Sequence, residues 1–131
     1  MGQPRFLIVS RPATADPQRD TTVWRLLGAN NRHLGQSGED FTSVPACLHA
    51  IEQLRRGLDR GRPSIGSVQH GQQWRWRLEV DGRTVACSTR AYRRQRECQY
   101  NLARFLAGAR CVDDGPLGRP APVVRLRGGG A

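Results

Sequence analysis

The chain has 131 residues, enough for one ordinary domain, and 37% hydrophobic residues, enough for a modest core. Its net charge is +10, from 21 basic residues, all of them Arg, against 11 acidic ones. The missing Lys reads as the mark of a GC-rich genome and leaves the basic excess unexplained; that excess either meets an anionic partner or serves solubility alone.

The N-terminal apolar run "FLIV" is too short for a signal peptide or a membrane span. "MGQPRF" puts Phe6 where a myristoylation signal wants Ser or Thr. The expectation is a soluble cytoplasmic protein with no membrane partner. Cys47, Cys87, Cys98 and Cys111 match no zinc spacing, and a cytosolic setting favours free thiols.

In chain order, "RFLIVS", Arg5 to Ser10, reads as a strand, and a loop with Pro and Asp runs from Arg11 to Asp20. "VWRLLGANNRHLGQS", Val23 to Ser37, reads as a hairpin whose Asn30 and Asn31 take the positive φ of a turn. After Phe41 a helix is expected over about Val44 to Gly57. Thr42 or Ser43 caps it, Pro45 lies in its first turn, and Cys47, Ile51, Leu54 and Leu58 form its apolar stripe. "DRGRP", Asp59 to Pro63, is the linker, and "SIGSVQH", Ser64 to His70, a weaker strand. "WRWRLEVDGRTVACS", Trp74 to Ser88, alternates with Trp74, Trp76, Leu78 and Val80 on one face and turns at Asp81-Gly82. After Tyr92 a second helix is expected over Gln95 to Gly108, with Cys98, Leu102, Phe105, Leu106 and Ala109 on its stripe. Its start, "RRQRE", offers no good cap. The Gly-, Pro- and Arg-rich remainder reads as a flexible tail.

The two halves are loose copies. Aligning Trp24 with Trp76 places Arg25-Leu26 on Arg77-Leu78. After one residue drops out of the turn, the offset is 51: Leu34 meets Val85, Ser37 meets Ser88, Phe41 meets Tyr92, Cys47 meets Cys98 and Ile51 meets Leu102. One such unit buries too little surface to be stable alone, whereas two close one core. The fold class that follows is α+β, a β-β-β-α order written twice. The organisation is a single domain over 1–110, with repeat one at 5–58, a linker at 59–63 and repeat two at 64–110, and a tail at 111–131.

"WRLLGANNRHLGQSGEDFTSVPACLHAIEQL" and "WRWRLEVDGRTVACSTRAYRRQRECQYNLARFL" resemble the repeat of the YegP-like family, a bacterial and archaeal domain of unknown function. The shared features are Trp-Arg-hydrophobic on a hairpin strand, an Asn-Gly-type turn, a closing Ser, an aromatic and an amphipathic helix. The first copy lacks the turn Gly and has a long first loop; the second has Arg93-Arg94 where the family often has Ser-Lys. The resemblance implies tandem β-β-β-α repeats, an antiparallel sheet with two helices, packed about a pseudo-two-fold axis. It implies no activity.

The charge is uneven. Residues 65 to 110 hold nine Arg against Glu79, Asp81 and Glu97, a balance of +6; residues 1 to 58 hold seven against five acids, +2. Arg75 and Arg77 project from one strand face, and Arg90, Arg93, Arg94 and Arg96 crowd the start of the second helix. Positive charge there opposes the helix dipole and is better tolerated if an anion neutralises it. The plain alternative is a solvated basic face. Trp24 and Trp76 belong in the core, and Trp74 at its rim, where stacking on a base is the minor reading. Cys47 and Cys98 read as small buried hydrophobes, and no metal or cofactor is expected. His33, His49 and His70 form no catalytic arrangement with a nucleophile or carboxylate. The expected function is a non-enzymatic binding or accessory module that meets nucleic acid or another polyanion through Arg75, Arg77, Arg90, Arg93, Arg94 and Arg96, without sequence specificity. The alternative is a protein-interaction module using a sheet edge or the groove between the repeats.

Overall fold

The computed structural model describes residues 3–12, 20–112 and 123–125. Strands β1 (Arg5–Pro12), β2 (Asp20–Leu27) and β3 (His33–Ser37) precede helix α1 (Val44–Gly57); β4 (Arg62–Val68), β5 (Gln73–Val80) and β6 (Arg83–Cys87) precede helix α2 (Gln95–Cys111). A short strand β7 (Val123–Arg125) completes one seven-stranded sheet in the order β4-β5-β6-β3-β2-β1-β7. All neighbours are antiparallel except β1 and β7. The class is therefore α+β.

Local chemistry accounts for the elements. Asn30 and Asn31 turn β2 into β3 with φ of 63° and 59°, and Asp81-Gly82 turn β5 into β6 with φ of 52° and 83°. Ser43 caps α1, its Oγ accepting from the Ala46 amide at 3.2 Å, with Pro in the first turn. Arg94 stands at the cap of α2 and makes no side-chain capping bond.

Both helices pack on one face of the sheet. They meet Phe6 and Ile8 of β1, Trp24 and Leu26 of β2, and Trp76 and Leu78 of β5 in a single core. Trp24 and Trp76 are each 1% exposed, and Phe105 of α2 lies against both, with ring centroids 6.2 Å and 4.8 Å away. Trp74 is half-buried, at the rim. On the other face Arg25, Gln36, Cys87, Arg77 and Ser64 form a row across five strands.

Three segments differ from the sequence reading. Arg11 and Pro12 extend β1 by pairing with Thr21 and Asp20, so the first loop is shorter than 11–20. The 59–63 linker is largely structured: a 3-10 turn at Leu58–Arg60 leads directly into β4, and the positive φ of Gln69, His70 and Gly71 makes the β4–β5 turn. Within the expected tail, Cys111 ends α2 and Val123–Arg125 pair with Ile8, Val9 and Ser10. Two adjacent β-branched valines suit a strand at that edge. The rest of the tail, 113–122 and 126–131, lies outside the described residues. None of the described helices is long and apolar enough to cross a membrane.

Candidate anion-binding cleft

The site arises where β3 meets β6. Their ladder contains only two residue pairs, Gln36 with Cys87 and Ser37 with Ala86. Past Ser37 the chains stay together, because the Gly38 amide donates to the Val85 carbonyl at 3.2 Å. A Cβ at Gly38 would lie 2.5 Å from the Thr84 carbonyl oxygen, so only glycine permits this approach. In the other direction the ladder stops. By the sequence alignment Thr89 stands where Gly38 does, and among the described residues it makes no matching bond to Leu34.

The segment after Cys87 instead follows β5. The Ser88 amide donates to the Trp76 carbonyl at 3.0 Å, and Trp74 and Tyr92 exchange two backbone bonds of 2.7 Å. A gap opens between β3 and this segment, with α2 along its rim. It is a cleft of about 990 Å³.

Its walls are basic and aromatic. Arg25 comes from β2, Arg32, His33 and Leu34 from the start of β3, Thr89, Arg90 and Tyr92 from the segment after β6, and Arg96, Tyr100 and Arg104 from one side of α2. Glu97 is the one acidic residue of the lining. Among the described residues none of the five arginines pairs with a carboxylate. Arg56, Arg60, Arg77 and Arg83, outside the cleft, all do. The Arg25 Nε is buried without a hydrogen-bond partner.

Each tyrosine of the lining has an arginine beside its ring. The Arg90 guanidinium lies 4.6 Å from the centre of the Tyr92 ring. Burial pushes the Tyr92 phenol up, while Arg90 pulls it the other way. Arg104 donates to the Tyr100 hydroxyl at 3.2 Å and lies 5.7 Å from its ring centre. Asn101 accepts from the Trp76 indole at 2.6 Å, which ties this turn of α2 to the core.

Of the six arginines expected to form a site, the structure brings Arg90 and Arg96 into the cleft. Arg75 and Arg77 lie on the helix-free face, as Arg25 does, but further along the sheet and outside the cleft lining, where Arg77 meets Ser64 at 3.3 Å and Glu79 at 3.7 Å. Arg93 and Arg94 are exposed ahead of α2 and do not line the cleft. Sequence reasoning missed Arg25, Arg32, Tyr100 and Arg104. Arg96, Tyr100 and Arg104 recur every four residues, a basic and aromatic stripe visible in the sequence. Arg25 and Arg32 join it only through the β3–β6 pairing.

The thiols lie elsewhere. All four cysteines are free, and Cys47 and Cys98 are fully buried. Burial pushes the Cys47 thiol up to about 12 and raises that of Cys98. Cys87 lies 3.9 Å from the Gln36 amide nitrogen, and burial raises its thiol against that bond and Arg75. No three ligating side chains cluster as a metal site among the described residues.

No protein-family profile matches the chain, and no curated protein matches it in sequence. Two solved structures are similar. One is the solution structure of YegP from E. coli, a protein of unknown function, with 13% identity, coverage of 98% of this chain and 97% of that one, and a TM-score of 0.56. The other is that of a UPF0339 protein from Shewanella oneidensis, with 10% identity, 93% and 92% coverage, and a TM-score of 0.62. The resemblance read from the sequence thus holds in three dimensions: the chain has the fold of the YegP-like proteins.

Proposed function

We propose that this protein is a non-enzymatic binding module that holds nucleic acid in the cleft between β3 and α2. The observation that carries the reading is five arginines around one cleft without a carboxylate partner among the described residues. Unpaired guanidinium groups gathered round a concavity focus a positive field and suit phosphate. The architecture behind it is read as two tandem β-β-β-α copies about a pseudo-two-fold axis. In support, Phe41 bridges to Thr22 as Tyr92 does to Trp74, and Cys47 and Cys98 are both fully buried. On this reading the cleft lies where the copies meet, and it draws arginines from both.

The test is binding of labelled DNA and RNA oligonucleotides across a salt series. Affinity falls with salt by a slope of about 0.7 to 0.9 per phosphate contacted. Changing Arg32, Arg90 and Arg96 together to Gln, all exposed in the fold, weakens binding and flattens the slope. Changing Arg75, Arg93 and Arg94, equally exposed, removes the same charge and costs less. Equal losses would mean that only net charge is sensed. No binding at low salt to any DNA or RNA would remove the reading in favour of a protein partner in the cleft or on the β4 edge.

A further inference from the structure

We infer that the cleft takes a single strand rather than a duplex, and that Tyr100 is the platform on which one unpaired base stacks. The inference rests on the nucleic-acid reading above and narrows it. Tyr100 is 63% exposed, and the only other exposed large hydrophobic residues among those described are Val123 and Val124, far along the sheet on β7. An aromatic ring so open has little part in the core. Arg104, one turn on, bonds its hydroxyl and sits beside its ring. A ring with one arginine beside it and its surroundings open to solvent offers a face on which a base can stack.

The neighbouring charges have the complementary role. Arg96 lies one turn before Tyr100 on the same side of α2, and Arg32 and Arg90 stand on the other walls. A strand along the cleft would place phosphates against these arginines while a base turns onto the tyrosine. Bases in a duplex are stacked on one another and offer no free face, so only an unpaired strand satisfies both sets of groups. Stacking of this kind tolerates any base, because every base has a π-face.

The experiment uses the full chain and three probes: a single-stranded oligothymidine of about 12 nucleotides, a duplex of the same length, and thymidine monophosphate. The single strand binds tightest, and the monophosphate weakest because it offers one phosphate to several arginines. Tyr100→Ala weakens single-strand binding by about 5- to 150-fold, whereas Tyr100→Phe retains most of it. The salt slope stays unchanged in both, since a base stack releases no counterions. Duplex binding as tight as single-strand binding overturns the inference, as does an alanine variant that binds like the parent. Either result leaves nucleic-acid binding itself intact, whereas failure of every probe at low salt removes that broader reading too.

Discussion

On one side of the Gln36–Cys87 pair, the β3–β6 seam is shut; on the other, it gapes. Among the aligned differences, two bear on the seam. The shut side has Gly38, which lets its amide reach Val85, and Glu39, which meets Arg83 at 2.8 Å. The open side has Thr89 in place of Gly38, and Arg90 in place of Glu39, set opposite Arg32 instead of Arg83. A side chain too large for the close approach and an ion pair turned into like charges both favour separation. On the two-copy reading the cleft is a seam left unzipped, and one of the two changes, Arg90, also supplies part of its positive lining.

The largest expected effect lies in the core that the two halves share. Phe105 touches both Trp24 and Trp76, so Phe105→Ala is expected to cost about 3–5 kcal/mol in urea denaturation, as a single cooperative loss. A loss below about 1 kcal/mol, or two separate transitions, would show that each half stands by itself. Next in size is the seam. Gly38→Val forces a Cβ against the Thr84 carbonyl and is expected to destabilise by about 1–3 kcal/mol. The reciprocal change, Thr89→Gly with Arg90→Glu, copies the shut side onto the open one; its signature is slowed hydrogen exchange at the amide of residue 89. Unchanged exchange there would mean that these two positions do not decide which side closes. Smallest is the ion pair. Arg83 and Glu39 are largely exposed, so Arg83→Gln should change stability by about 0.2–1 kcal/mol, less at high salt.

What the sequence made legible was local. The bounds of α1 follow from Ser43, Pro45 and a regular stripe, and the hairpins from Asn30-Asn31 and Asp81-Gly82. Gly108 misled as a helix stop. It sits inside α2, where a Cβ would come 2.9 Å from the Leu34 side chain, so glycine serves a close helix–sheet contact there. The seventh strand escaped because its parallel pairing with β1 joins residues more than a hundred positions apart. The cleft escaped for the same reason. Charge counting found the more basic half and two of the arginines that line the cleft, but which face each strand residue takes, and what β3 brings from the first half, depend on a seam of two residue pairs.

The rims of the sheet have a bearing on how the protein behaves when crowded. β7 occupies three positions along β1, so part of that border is already taken. The opposite border, β4, is seven residues long and carries an exposed Arg62 and Pro63, followed by Ser64, Gly66 and Ser67. Proline removes a donor, arginine adds repulsion between like chains, and the small residues give a second sheet nothing to interdigitate with. A concentrated solution of this chain is thus guarded along its β4 border against stacking into fibrils.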